Sequence, residues 1–146
     1  MNEKKIIGRQ EHICILDLEL YDLDAKVDTG ADSSSLHCDD IIIDENGFVT
    51  FTLLDDVHAS YHGKKFTMPI YKIRKIKSSN GTVQKRAFIQ VTVDFFGKNY
   101  KTVVSLANRS EMKYPMLIGR RFLSNKFLVD VSQEYLAKPK NHEGKI

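Results

Sequence analysis

The 146-residue sequence lacks several features that would assign it to a large functional class. Its longest apolar runs are far too short to cross a bilayer. The sequence therefore predicts no membrane-spanning helix and no membrane partner. The charged N-terminal stretch MNEKKIIGRQEH has no apolar core and does not resemble a secretory signal peptide. We therefore expect a cytoplasmic protein whose two cysteines, Cys14 and Cys38, are reduced thiols.

Motifs for phosphate binding, for metal binding and for a serine nucleophile are also missing. The chain contains no G-x-x-x-x-G-K-[ST] and no G-x-G-x-x-G loop. No G-x-S-x-G elbow surrounds Ser33–Ser35, whose hydroxyls are better suited to satisfying a turn. His58 and His62 are four residues apart, but Ala59 stands where a zinc protease carries its glutamate. We predict no metal site and no cofactor.

The composition is that of an ordinary globular domain. Hydrophobic residues make up 42% and charged residues 28% of the chain, and a chain of this length can bury a core without disulfides. We expect one domain over residues 1–137. A flexible polar tail is expected over residues 138–146, which include Pro139 and Gly144.

Hydrophobic residues recur mainly with a period of two, which is typical of β-strands. The predicted strands are HICILDLEL, LDAKVD, SLHCDDIIID, FVTFTLL, FTMPIYKIRKIK, TVQKRAFIQVTVDFF, YKTVVSLA and FLVDVS. Asn46-Gly47 and Asn80-Gly81 are strong hairpin signals. Only RRFLSN is predicted as a single helical turn. The pattern predicts an all-β closed barrel with one short helix.

The strongest basic cluster, YKIRKIKSSNGTVQKR at residues 71–86, has two interpretations. Alternating Lys and Arg are typical of a solvated hairpin, and the mild net charge of +3 favours that interpretation. The cluster could instead bind an acidic peptide or nucleic acid. We predict no nucleic-acid partner. The competing hypothesis would be supported by salt-dependent binding of DNA or RNA through the cluster's basic residues Lys72, Arg74, Lys75 and Lys77.

The stretch AKVDTGADSSSLH places a carboxylate, Asp28, at the end of a predicted strand. Two carboxylates held close together share one proton, so that one can activate water while the other protonates a carbonyl. Gly30 would allow a sharp bend with its N–H near the carboxylate, and the Thr29 hydroxyl could lock the turn. An Asx-turn between strands uses the same residues, so this motif alone does not separate a catalytic loop from a structural one.

A second motif, PMLIGRRFL at residues 115–123, favours the catalytic interpretation of this loop. DTGAD and MLIGRRFL together resemble the motifs of the retropepsin aspartic proteases. The resemblance implies that Gly119 and its apolar neighbours pack beneath a catalytic loop containing Asp28 and Ala31. It also implies that Arg120 forms an ion pair with Asp32, a role that suits a planar guanidinium.

The SSNG hairpin occupies the place in the chain order of the retropepsin flap, which closes over substrate. Ser79, Asn80 and Gly81 would then lie at the flap tip and contact substrate. The tip is polar and has basic flanks, unlike the glycine-rich apolar flap of viral retropepsins, which favours an acidic or polar substrate. Residues 44–68 have no counterpart in the minimal viral enzymes.

A more specific resemblance covers nearly the whole chain. AKVDTGADSSSLH, IKSSNGTVQKR, MKYPMLIGRRFL and FLVDVSQEYL are similar to segments of a bacterial retropepsin-like family whose members are often labelled ATP-dependent zinc proteases. This sequence contains neither a nucleotide loop nor a zinc motif that would support that label. Members are commonly linked to ATP-grasp amino-acid ligases. The resemblance therefore implies a peptide or protein substrate and a possible ligase partner.

One carboxylate is missing, because no second Asp-Thr-Gly or Asp-Ser-Gly occurs in the chain. A single-domain retropepsin forms its pair across a two-fold axis, so the resemblance implies a homodimer with Asp28 of each chain at the axis. Thr29 would then contact the opposing loop. The sequence thus predicts a dimeric aspartic peptidase. The alternative is a non-catalytic module that binds a peptide or a partner on the same fold.

Overall fold

Six strands close into a barrel in the computed structural model, which describes residues 3–53, 61–77, 79–108 and 113–137. The strands of the described residues, in chain order, are β1 (Lys5–Ile7), β2 (Gln10–Ile15), β3 (Leu20–Val27), β4 (Ser34–His37), β5 (Asp39–Ile43), β6 (Phe48–Thr52), β7 (Lys65–Pro69), β8 (Lys72–Lys77), β9 (Val83–Phe95), β10 (Lys98–Ala107), β11 (Met116–Ile118) and β12 (Phe127–Val129). A four-residue helix, α1 (Arg120–Leu123), follows β11. None of the helices in these ranges is long and apolar enough to span a membrane.

The barrel runs in the order β10-β4-β11-β3-β2-β9, and β9 pairs with β10 to close the ring. The β10–β4 and β11–β3 pairs are parallel, while the others are antiparallel. Closure leaves these six strands without a free sheet edge. The predicted all-β closed barrel with one short helix is confirmed.

The barrel interior is filled by the inward faces of these strands. In β9, alternate residues such as Val91, Val93 and Phe95 are buried, as the period of two predicts. Phe95 is fully buried and meets Phe122 and Phe127 edge-on, with ring centroids 5.7 Å and 5.3 Å away. This aromatic contact packs α1 and β12 against one end of the barrel.

A hairpin extends from the barrel because β9 is longer than its partners. The first half of β9, from Val83 to Phe88, pairs with β8, and the second half pairs with β10. The turn between β8 and β9 contains Gly81 at a φ of +88°, a conformation that favours glycine. The predicted flap-like hairpin is therefore present, and Ser79, Asn80 and Gly81 lie in its turn.

Two predicted strands are divided in the structure, and a third ends early. FTMPIYKIRKIK is divided into β7 and β8, which belong to different sheets; β7 ends at Pro69, which has no N–H to continue a ladder. SLHCDDIIID is divided into β4 and β5 at Cys38, whose N–H donates to Ala107 O. HICILDLEL ends as a strand at Ile15 and continues as a 3-10 turn, Leu16–Leu18. The predicted tail at residues 138–146 lies outside the described residues.

Strands β5, β6 and β7 form a separate three-stranded sheet. All of β6 and most of β7 belong to the stretch 44–68, which has no viral counterpart. The predicted Asn46-Gly47 turn joins β5 to β6, and Gly47 has a φ of +89°. This sheet packs on the core through Val49 and Phe51, which are fully buried.

We expect Phe95→Ala to lower the free energy of unfolding by roughly 3–5 kcal/mol, because it leaves a cavity among the aromatic rings. Urea denaturation followed by circular dichroism measures the change. Phe48→Ala is the matched control, since Phe48 is 41% exposed on the separate sheet and should change stability by about 1 kcal/mol or less. Equal losses in the two variants would show that the aromatic contact is not central to the core.

Candidate active site

The Asp28 carboxylate lies in a turn at the end of β3. The Asp28 N–H donates to Ile118 O at 2.9 Å, and the Asp28 carbonyl accepts the Ala31 N–H at 3.1 Å. Oδ1 of Asp28 accepts the Gly30 N–H at 3.0 Å, so the side chain closes the turn on itself. Thr29 and Gly30 are exposed. The turn therefore presents its tip to solvent while its base is bonded to β11.

The segment Gly119–Arg121 lies directly beneath this turn. The N–H groups of Arg120 and Arg121 donate to the carbonyls of Ala31 and Asp32 at 2.8 Å and 3.0 Å. A guanidinium nitrogen of Arg120 also donates to Thr29 O at 3.1 Å. Backbone and side chain of this segment thus hold three carbonyls of the Asp28–Asp32 loop.

Gly119 allows the two segments to approach this closely. A Cβ at Gly119 would lie 2.6 Å from both the carbonyl carbon and the carbonyl oxygen of Ser33 and 3.0 Å from Ala31 O, so no other residue fits without displacing backbone. The Gly119 N–H donates to Oγ of Ser34 at 3.1 Å. The sequence suggested only that the Ser33–Ser35 hydroxyls satisfy a turn. It gave no sign that Ser34, which is buried, bonds a residue 85 positions away.

Asp32 is bonded more closely to Arg121 than to Arg120. Nε of Arg121 is 2.9 Å from Oδ2 of Asp32, whereas Nη2 of Arg120 is 3.8 Å from Oδ1. The hydrogen bond from Arg121 lowers the pKa of Asp32, and the charges of Arg121, Arg120 and Arg74 add to the effect. The resemblance named Arg120 for this contact. The consecutive Arg-Arg pair left open which of the two guanidiniums would lie nearer.

The underside of the β8–β9 hairpin faces the same loop with two arginines. Arg74 and Arg86 are directly opposite each other in the β8–β9 ladder. Together with Asp32, Ser35 and other residues they line a cavity of about 180 Å³. Like charges directly opposite each other destabilise a sheet. The two arginines add positive charge to this cavity.

A neighbouring cavity of about 230 Å³ continues this groove. It shares Ser33 and Phe88 with the first cavity and adds Lys72 and Arg121. Nζ of Lys72 lies 4.8 Å from the centre of the Phe88 ring, a cation–π distance. The groove between the hairpin and the loop is therefore basic along both cavities.

The flap tip closes with an Asx-turn in which Oδ1 of Asn80 accepts the Thr82 N–H at 3.0 Å.

A larger cavity of about 670 Å³ lies elsewhere, against β1, β10 and β12, and is lined by none of the predicted site residues. His62 uses both ring nitrogens, toward Leu18 O and the Lys64 N–H. His58 lies outside the described residues.

Comparisons with known proteins agree with the fold. A family model described as RimB-like, the retropepsin-like aspartic endopeptidase RimB, matches residues 6–140. Proteins named probable alpha-L-glutamate ligase, from Shewanella halifaxensis and Parasynechococcus marenigrum, are 33% and 28% identical over 96% and 89% of this chain. The chain spans only 31% and 28% of their lengths.

A crystal structure of a protein of unknown function from Legionella pneumophila has a similar fold. The similarity covers 93% of this chain and 100% of that chain, with a TM-score of 0.73 and 28% identity. The overall fold is therefore shared with a protein of comparable extent.

We expect Arg121→Gln to raise the pKa of Asp32 toward the usual value of an aspartate, because it removes the shortest contact and one charge. Arg120→Gln, the matched control, should raise it less. Titration of the side-chain carboxyl carbon by NMR measures both. A larger shift in the Arg120 variant would reverse the assignment.

The same ion pair gives a pH dependence of defined sign. Because the pKa of Asp32 is lower in the folded than in the unfolded protein, its contribution to stability is complete above the unfolded pKa. The contribution is lost as the pH falls through the folded pKa. All three side chains are about half exposed or more, so the effect on stability is expected to be small.

Proposed function

The chain belongs to the RimB-like family of retropepsin-like aspartic endopeptidases, and from that membership we propose that it hydrolyses peptide bonds as a homodimer. Each chain contributes one Asp28 to a carboxylate pair at the two-fold axis. The observation that carries the proposal is the Asp28 turn, whose base is fixed by hydrogen bonds to Ile118 and Arg120 while its tip is exposed. An exposed, rigid half-site is what a symmetric pair requires.

The chemistry of such a pair needs only two carboxyl groups and a water molecule. The ionised carboxylate takes a proton from water as the oxygen attacks the scissile carbonyl, and the protonated partner donates its proton to the carbonyl oxygen. In the resulting diol, the carboxyl group that took the proton from water protonates the amide nitrogen, while its ionised partner takes a proton from a diol hydroxyl. The C–N bond then breaks, the amine leaves, and the pair again shares one proton. No metal or organic cofactor is needed for these steps.

The remaining loop residues have supporting roles in this proposal. Gly30 and Ala31 shape the turn, and Thr29 at its exposed tip contacts the loop of the second copy. Asp32, Gly119 and Arg120 hold the turn from below. Ser79, Asn80 and Gly81, which lie in the hairpin turn, would cover a bound peptide.

We further propose an acidic peptide as substrate. The groove between hairpin and loop contains Arg74, Arg86 and Lys72, which would bind carboxylate side chains. The relatives named as alpha-L-glutamate ligases support this choice, since an enzyme of that name would produce glutamate-containing peptides. A functional link to an ATP-grasp ligase then follows as part of the proposal.

The proposal includes one catalytic domain at residues 1–137, followed by a polar tail, acting in the cytoplasm. Cys14 and Cys38 are both buried, and the proposal takes them as reduced thiols. Burial raises the pKa of the Cys38 thiol, which makes it unreactive. Neither cysteine has a role in the proposed reaction.

Binding of a peptide or a ligase without hydrolysis is the alternative function. It is favoured by the same basic groove and by the small fraction of the relatives' length that this chain spans. The two functions differ in one respect, because only hydrolysis needs two Asp28 carboxylates within hydrogen-bonding distance.

We expect Asp28→Asn to abolish cleavage of a diverse peptide library, tested from pH 3 to pH 8, while fold and dimer persist. The asparagine keeps an acceptor for the Gly30 N–H but cannot act as base or acid. Mass spectrometry of the peptides measures cleavage, and analytical ultracentrifugation measures the dimer. Mixed dimers of wild type and variant should also be inactive, because both carboxylates are needed.

Asp44→Asn is the matched control. Oδ1 of Asp44 accepts an N–H two residues later, as Asp28 does, but in the β5–β6 turn. This variant should cleave like wild type. A wild-type dimer that cleaves nothing in the library, including glutamate-rich peptides, would favour the binding function instead.

We expect Arg86→Gln and Arg74→Gln each to reduce kcat/KM for glutamate-rich peptides by roughly 10-fold, because each removes one charge-assisted hydrogen bond to a carboxylate. Cleavage of neutral peptides of the same length should change little. Lys77→Gln, on the opposite face of β8 from Arg74, is the control. An equal loss for acidic and neutral peptides would contradict the proposed acidic preference.

A further inference from the structure

Glu11 is a carboxylate with no exposed surface, and the proposed reaction does not use it. Its Oε2 accepts the Gly8 N–H at 2.7 Å, and its Oε1 accepts the Ala137 N–H at 2.9 Å. Burying a carboxylate costs free energy unless hydrogen bonds satisfy both oxygens. Glu11 thus joins two backbone segments from opposite ends of the described chain.

The second of these segments, Gln133–Ala137, is called the C-terminal segment here. It lies along Gly8–Gln10: the Arg9 N–H donates to Gln133 O at 2.8 Å, and the Tyr135 N–H donates to Gln10 O at 2.9 Å. A Cβ at Gly8 would lie 2.6 Å from Gln133 O. The two stretches are therefore in direct backbone contact.

Gly8–Gln10 in turn holds the base of the Asp28 turn. The carbonyl of Arg9 accepts the N–H of Val27 at 2.9 Å, and Val27 immediately precedes Asp28. In the β2–β3 ladder Gln10 is opposite Lys26. Three stretches of backbone thus lie side by side and are joined by hydrogen bonds: the C-terminal segment, then Gly8–Gln10, then Val27.

We propose that Glu11 is a positioning residue for Asp28. By fixing the C-terminal segment against Gly8–Gln10, it holds Val27, and hence the Asp28 turn, in one position. A buried apolar residue would fill the same volume but leave two N–H groups without acceptors. The effect on catalysis rests on the proposed function, whereas the effect on the turn does not.

The test is hydrogen–deuterium exchange of peptides covering residues 24–33, measured by mass spectrometry on the full chain. Three amides report on the turn: those of Asp28, Gly30 and Ala31. Glu11→Gln replaces one acceptor with an N–H donor facing the N–H of Gly8 or Ala137. We expect exchange in these peptides to accelerate by about 10-fold, with little change in β9.

Gly8→Ala is an independent variant that displaces the C-terminal segment and leaves Glu11 in place. It should accelerate exchange in the same peptides. Thr52→Val is the control, because it alters a buried polar residue of the separate sheet and should affect stability without a local effect on the turn. Glu134→Ala removes only the partly exposed contacts to Arg9 and Gln10, and we expect about a 3-fold acceleration.

Activity provides the second measurement. Loss of positioning should lower kcat per folded molecule by about 10-fold with little change in KM. A general loss of folded protein would instead lower the fraction of active molecules and leave kcat per folded molecule unchanged. Unchanged turn exchange in every folded variant would overturn the proposal. Accelerated exchange in a protein that cleaves nothing would uphold the positioning role and count against the peptidase. If Glu11→Gln and Gly8→Ala do not fold, Glu134→Ala decides, since its side chain is partly exposed.

Discussion

The backbone contact between Ile118–Arg121 and the Asp28–Asp32 loop is the interaction on which the candidate site depends. Loops that carry function are usually mobile, but here three amides and four carbonyls of the loop have hydrogen-bond partners. The parallel pairing of β11 with β3 sets this up, because it places Ile118 beside Val27. Gly119 then allows contact at a distance that any Cβ would prevent.

Positive charge is concentrated around this loop. Asp32 has three arginines in its surroundings, and Arg86 lies opposite one of them in the hairpin ladder. Side chains of like charge directly opposite each other weaken a hairpin. The groove that these side chains line is suited to anions.

The local features of the fold could be predicted from sequence, and the long-range ones could not. The turn glycines Gly47 and Gly81 and the long strand β9 follow from composition and period. FTMPIYKIRKIK is divided between two sheets because its first half pairs with β6 and its second half with β9. The hydrophobic period of two is the same in both halves and therefore does not predict the division. Likewise, nothing local distinguishes Arg120 from Arg121 as the nearer partner of Asp32.

The site was predictable only where a resemblance joined distant segments. Asp28 and Gly119 are 91 positions apart, and no periodicity relates them. Glu11 shows the limit of such reasoning, because a charged residue in a strand is normally exposed. Its burial depends on the Ala137 N–H, 126 residues away, which only the folded chain brings near.

A pair built from two identical loops has a consequence for how acid and base are assigned. Where two carboxylates come from different surroundings, the surroundings separate their pKa values and so fix their roles. In the proposed homodimer each Asp28 has the same Gly30 N–H, the same Ile118 contact and the same arginines nearby. The two loops therefore give neither Asp28 a distinct role. The bound peptide, which is not symmetric, must decide which Asp28 activates water and which protonates the carbonyl.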